Sequence, residues 1–328
     1  MKFRVASWNV ENLFPPNGAA PESARSYRAK LANLASVIRE LRPDVIALQE
    51  VGSADALTDL QSALGDSMPH AALSENPDRR GIRVALLSKR VLNEATEIVA
   101  FSANVPFKIE DHRGKPVTTL RRGALSASIT IDRTRVHLLT AHLKSKLLDY
   151  PTPDGGTAFS TKDESLRARI ASLALAERTA EAVTLRTAVS EILSKHPSDA
   201  VILLGDLNDV PEAATTQILQ GPQGSQPGTG GFHRPDQGDP ARLFNLASFI
   251  PADRRYSRIN NGVRELIDHI FVSEHLLPVR PDGKRAAPRV DSHPAAQGGE
   301  IESVGDDPRK REGRAASDHA PVVAEFEI

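Results

Sequence analysis

Short apolar runs punctuate the chain: KFRVASWNV (2–10), DVIALQEV (44–51), RVALLSK (83–89), GALSASITI (123–131), RVHLLTAHL (135–143), DAVILLG (199–205), LIDHIFVS (266–273) and PVVAEFEI (321–328). Runs of this length, rich in β-branched residues and bounded by turn formers, predict buried strands. Between them the period changes. From Glu22 to Leu41, apolar residues recur at Leu31, Leu34, Val37, Ile38 and Leu41, and Pro43 closes the segment. That spacing predicts an amphipathic helix. Asp55 to Leu64 predicts a second. Ser165 to Leu193 predicts the longest, with Leu166, Ile170, Leu173, Ala180, Val183, Val189 and Ile192 on one face and Lys195, His196 and Pro197 as its stop. Strands alternating with helices make a layered α/β protein.

Stretches 146–162, 221–239 and 278–316 are rich in Gly, Pro and polar residues and carry no core pattern. They are expected to be mobile insertions. None reads as a linker, so residues 1–328 are expected to form a single domain.

Composition narrows the class. The net charge of −1 gives no global attraction to nucleic acid or to an acidic membrane, so any basic patch must be local. Such patches exist at Lys108 to Arg122 and Arg309 to Arg314. The absence of cysteine excludes disulfides, zinc–thiolate sites and a cysteine nucleophile. No run approaches the ~18 apolar residues of a membrane span. The first residues lack the apolar segment of a signal peptide. A soluble cytoplasmic protein with no obligate protein partner is the expectation.

The chemistry lies at strand ends. LLGDLNDVPE (203–212) carries Asp206, Asn208 and Asp209 at the tip of a buried strand. Gly, Asn and Asp suit a turn; carboxylates on a rigid strand tip also suit a hard cation such as Mg²⁺. Other strands end alike. The first ends in Asn9, Glu11 and Asn12, another in Gln49 and Glu50, and a third in His142, Lys144 and Ser145. Asp268 and His269 interrupt the apolar LIDHIF, and Asp318-His319 precede the last strand. Each alone has a bland reading as cap, turn or solvated end. Asp268 is the hardest to dismiss, because a buried carboxylate needs a partner, and His319 is a natural one.

Taken in order, SWNVENL, DVIALQEV, LTAHLKS, LLGDLND, LIDHIFVS and SDHAPV resemble the motifs of the endonuclease/exonuclease/phosphatase (DNase I-like) superfamily, from residue 7 to 322. The resemblance implies a four-layer α/β sandwich, with two mixed β-sheets packed face to face and helices outside. It also implies divalent-metal-dependent hydrolysis of a phosphoester. By resemblance, Glu50 is the principal Mg²⁺ or Mn²⁺ ligand, Asn9 beside it places metal or phosphate, and Asp318 is a further ligand. Asp206 and Asn208 resemble the pair that orients and activates the attacking water. Asp268 and His319 resemble a carboxylate–histidine dyad, and His142 the histidine that contacts the phosphate. Arg122, with Arg121 as competitor, and Lys144 are candidate phosphate contacts.

Two departures mark this chain. The strand RVALLSK offers no carboxylate to support His142, and Asp78 falls slightly early, which leaves that partner open. LIDHIFVS lacks the Trp-Cys-Asp-Arg signature of inositol polyphosphate 5-phosphatases, which counts against that branch. The leading expectation is a nuclease-like phosphodiesterase. A phosphomonoesterase or lipid phosphodiesterase on the same site is the first alternative, and a catalytically silent scaffold the second.

Overall fold

The computed structural model describes residues 2–16, 21–152, 154, 156–234, 237–292, 304 and 315–327. Its strands are β1 (Lys2–Leu13), β2 (Val45–Val51), β3 (His70–Leu73), β4 (Arg83–Ser88), β5 (Asn93–Ala100), β6 (Thr119–Ile131), β7 (Thr134–His142), β8 (Tyr150–Pro151), β9 (Thr157–Ala158), β10 (Ala200–Asp206), β11 (Leu243–Asn245), β12 (Arg258–Asn260), β13 (Val263–Glu265), β14 (Asp268–Ser273), β15 (Arg289–Ser292) and β16 (Val322–Glu327). The helices are α1 (Pro21–Leu41), α2 (Ala54–Leu64), α3 (Glu164–Lys195) and α4 (Ala214–Leu219).

Two six-stranded mixed sheets form, in the orders β15-β16-β1-β2-β4-β3 and β11-β14-β10-β7-β6-β5. Each carries one parallel pair near its middle, β1 with β2 and β7 with β10. Alternate residues point to opposite faces, so each central strand feeds two cores. Val5, Val45 and Leu86 of the first sheet meet Leu138, Ile202 and Ile270 of the second between the sheets. On its outer face the first sheet buries Ala6, Trp8, Ile46 and Leu48 under Leu34, Ile38 and Leu60 of α1 and α2. The second buries Leu139, Val201, Leu203 and Phe271 under Leu185, Val189 and Leu193 of α3. The result is the expected four-layer sandwich.

Edge strands escape the apolar-run rule. β3 and β5 are half-buried or exposed along their length and carry no continuous apolar signal. Stretch 278–316 has no core pattern in sequence, yet it contains β15, which pairs with β16, and a buried Arg285 bonded to Asp239. The rest of that stretch, with the basic run 309–314, lies mostly outside the described residues. Stretch 146–162 contains the short β8–β9 ladder.

Helix α3 buries only part of the face its apolar residues suggest, at Ile170, Ala180 and Val189, and adds charged positions to it. Glu177, Arg178 and Glu181 occupy core positions beside Ile170, Ala174 and Leu185, while Leu166, Leu173, Val183 and Ile192 are half-exposed. These charges are tolerated because each has partners. Arg121 binds Glu177 through two bonds of 2.8 Å. Arg178 binds Asp209 at 3.1 Å and the Lys144 carbonyl at 3.0 Å. Glu181 accepts the backbone N–H of Arg121 at 3.1 Å and of Lys144 at 2.6 Å.

Candidate active site

Register builds the centre of the site. Asp206 ends β10, opposite His142 on the parallel neighbour β7 and opposite Asp268 on the antiparallel neighbour β14. Residues in register on adjacent strands project to one face, so the three side chains form a row. The row requires β10 to lie very close to β7. A Cβ on Gly205 would sit 2.0 Å from the Ala141 carbonyl oxygen, and its φ of +150° disfavours any other residue. The glycine of LLGDLND is therefore there for strand approach.

Asp206 Oδ2 is the hub. It accepts from Asn9 Nδ2 at 3.0 Å, and His142 Nε2 lies 3.4 Å away and His319 Nε2 4.0 Å away. Its other oxygen accepts the Asn208 N–H at 2.9 Å, while Asn208 Nδ2 donates to the Leu143 carbonyl at 3.0 Å. His319 Nδ1 binds Asp268 Oδ2 at 2.7 Å, which establishes the dyad as a contact. The 317–319 turn is clamped by three further bonds: Trp8 Nε1 donates to the His319 carbonyl, Ser317 Oγ to the Asn9 carbonyl, and the Asp318 N–H to Glu11. Pattern alone assigns Trp8, Glu11 and Ser317 no role, although all three stand in the motifs. Their work is positional and leaves no chemical signature in sequence.

The first sheet supplies the other side. Asn9 Nδ2 also donates to Glu50 at 3.3 Å, and the Asn12 N–H binds the second Glu50 oxygen at 2.9 Å. Asn9 thus turns donors toward the carboxylates, and its own oxygen accepts from the Glu11 N–H. Glu11, Asn12, Glu50 and Asn208 all have positive φ, between 49° and 67°. Such strained residues persist only where their surroundings over-determine them, and here they gather at the strand ends that carry the candidate residues.

Electrostatics divides the two histidines. Burial alone would lower the His319 pKa, but Asp268, Asp318 and Asp206 outweigh it and hold it at about 10, so the ring is an imidazolium at neutral pH. Burial, then Arg122 and His319, push His142 well below its ordinary value, so that ring is neutral. Burial and the neighbouring Asp268 raise Asp206 to about 7.

The cations sort differently from expectation. Arg122 is buried and held by Asp78 at 2.9 and 3.1 Å, and by the His142 and Leu143 carbonyls. Asp78 therefore serves Arg122, and His142 Nδ1 has no hydrogen-bond partner among the described residues. Arg121 turns to Glu177. Lys144 Nζ caps the Ser145 and Leu147 carbonyls at 2.9 and 3.0 Å, away from the row. Arg258, which no motif singles out, lies with its guanidinium 3.7 Å from Asp318.

The ligand atoms of Asp206, Asp268 and His319 lie within 4.8 Å of one another, a buried group able to hold a metal ion. The profile of the Endonuclease/Exonuclease/phosphatase family matches residues 6–319. The chain belongs to this family. Its members are phosphoester hydrolases that generally use divalent metals. No curated protein sequence matches the chain. Solved structures with a similar fold include TDP2 from C. elegans, 17% identical, covering 100% of this chain and 75% of that one, with a TM-score of 0.56. The human Nocturnin catalytic domain with bound sulfate is 15% identical over 99% of this chain and 94% of that one, with a TM-score of 0.58. The endonuclease/exonuclease/phosphatase from Bacteroides vulgatus is 14% identical over 100% and 99%, with a TM-score of 0.57. At these identities the likeness is one of fold. Among the described residues, no helix is long and apolar enough to cross a membrane.

Proposed function

We propose that this family member is a divalent-metal-dependent phosphodiesterase of the nuclease-like kind, with residues 1–328 as one catalytic domain. The observation that carries the reading is the row His142–Asp206–Asp268, closed by His319, at the ends of the central strands.

The donor set fits a hard cation. The Asp268 Oδ1 is buried without a hydrogen-bond partner among the described residues, and Asp206 and Asp268 are buried side by side. We assign Glu50 and Asp318 as the residues that would hold the ion, with Asn9 orienting Glu50. His319 is a poor ligand while it carries a proton on each nitrogen. Bound there, Mg²⁺ or Mn²⁺ supplies Lewis-acid polarisation of a phosphoryl oxygen and neutralises developing charge.

The chain's own groups do the rest. Asp206, with a pKa of about 7, is matched to accept a proton from water near neutral pH. Asn208 and Asn9 fix its two oxygens. The His319 imidazolium, oriented by Asp268, donates to a phosphoryl oxygen. Neutral His142 donates Nε2–H toward Asp206 and completes the same wall. The sulfate on the Nocturnin catalytic domain supports an oxyanion site on this fold.

The test is hydrolysis of bis(p-nitrophenyl) phosphate and p-nitrophenyl phosphate with and without Mg²⁺ or Mn²⁺. The diester is cleaved only with metal, and Glu50→Gln lowers kcat by at least about 10³-fold with an unchanged circular dichroism spectrum. Cleavage of the monoester alone would replace this reading with a phosphatase. A Glu50→Gln variant at full rate would remove the metal assignment.

A further inference from the structure

A phosphodiester brings a negative charge into a site already crowded with carboxylates, so a cation must face it. The predicted candidates are engaged elsewhere: Arg122 with Asp78, Arg121 with Glu177, and Lys144 with two loop carbonyls. Lys146 contacts Asp209 at 3.1 Å and Glu265 at 3.7 Å. Arg80 is exposed on the Asp78–Ile82 turn, 3.9 Å from Asp78.

Arg258 differs from all of these. It starts the β12–β13 hairpin and forms a backbone bridge with His319. The Ser257 carbonyl accepts the Ala320 N–H at 2.7 Å within that bridge, and on the other side the Ser257 hydroxyl accepts the N–H groups of Ile267 and Asp268. Side chains alternate along an extended segment, so Ser257 turns inward to the dyad's backbone and Arg258 turns the other way. The guanidinium lies 3.7 Å from Asp318 Oδ2, beyond hydrogen-bond reach, while Asp318 Oδ1 lies 4.0 Å from His319 Nε2. Guanidinium and imidazolium thus flank one carboxylate. The Arg258 Nε is buried with no hydrogen-bond partner among the described residues. A buried N–H left unsatisfied loses its hydration with nothing in return. An anionic oxygen beside it would satisfy the donor and fit the planar fork.

We propose that Arg258 is the substrate-phosphate ligand of this site, its guanidinium holding a non-bridging phosphoryl oxygen beside His319. The inference rests on the phosphodiesterase reading for its substrate, but not for its binding test. In Arg258→Ala, kcat/KM for bis(p-nitrophenyl) phosphate falls about 10²- to 10³-fold. Arg258→Lys restores part of the loss. Millimolar guanidinium chloride, far below denaturing concentration, restores rate to Arg258→Ala and leaves wild type unchanged; urea restores nothing. By calorimetry with the metal present, inorganic phosphate binds Arg258→Ala about tenfold or more weakly than wild type.

Wild-type hydrolysis with Arg258→Ala unchanged in rate and phosphate affinity overturns the inference and leaves the phosphodiesterase reading intact. Loss of rate without guanidinium rescue, at unchanged phosphate affinity, also overturns it and gives Arg258 a structural role. A wild type that binds phosphate through Arg258 but cleaves neither ester upholds the inference and removes the phosphodiesterase reading.

Discussion

Glu181→Gln changes how stability depends on pH, and the change can be worked from position alone. Glu181 is 1% exposed on α3, and burial, followed by the neighbouring Glu177, raises its pKa from 4.5 to about 7. In the unfolded chain it titrates at its ordinary value. Between pH 4.5 and 7 the native state therefore holds a proton that the unfolded state has released. Stability from this group is fully present below pH 4.5 and is lost as pH rises to 7. Each pH unit in that window removes about 1.4 kcal/mol, so the whole loss is about 3 kcal/mol. Gln does not titrate, so Glu181→Gln lacks that decline. It also has a constant cost, because its amide N–H₂ must face one of the two backbone N–H groups that Glu181 accepts, from Arg121 and Lys144. Titration of Asp206, His142 and His319 is common to both proteins and cancels in the difference. The assay is urea unfolding of wild type and variant at half-unit steps from about pH 4.5 to 7.5. The stability of the variant relative to wild type should rise by about 3 kcal/mol across that range. Parallel curves, within about 0.5 kcal/mol, would refute the assignment of a raised pKa.

Two further outcomes follow from the site. Asp268→Asn lowers kcat by about 10²- to 10⁴-fold and, by removing the largest influence that raises the His319 pKa, makes residual activity fall as pH rises above neutrality; a pH–rate profile like that of wild type would exclude an oriented imidazolium. Arg122→Met removes the buried cation from Asp78, which keeps only the Arg80 and Ile82 N–H groups and the Arg80 side chain at 3.9 Å, and costs about 3 kcal/mol of stability in urea unfolding, with KM for the diester within twofold of wild type; a KM raised tenfold at unchanged stability would return Arg122 to the phosphate.

The strands that carry the row were legible because a strand buried on both faces cannot avoid an apolar run, and its polar end then stands out. Asp206, Asp268 and His142 stand out in this way, and the Asp268–His319 contact follows from the cost of an unpaired buried carboxylate. Edge strands β3, β5, β11 and β15 carry no such signal, being short or half-exposed. The face of α3 is legible only in part, because charged residues can occupy a core when each finds a partner in a distant segment, and spacing along one helix says nothing of that partner. The same applies to the cations. Arg122 and Lys144 sit beside motif residues in sequence, yet their side chains bind Asp78 and loop carbonyls. Arg258 stands in a polar hairpin with no pattern of its own and reaches the dyad only through the fold.

The bond from Ser317 Oγ to the Asn9 carbonyl joins positions 308 residues apart. β1 gains β2 on one edge soon after it is made, but its other edge waits for β16. During synthesis that edge is an open template for mispairing, and closing so long a loop is slow. Asp318 and His319 arrive on the segment that leads into β16. A chain cut short of that segment has neither the capping strand nor the imidazolium, so loss of folding and loss of chemistry coincide. On the proposed reading, a copy truncated before that segment would lack both, so hydrolysis would require the first sheet to be sealed by β16.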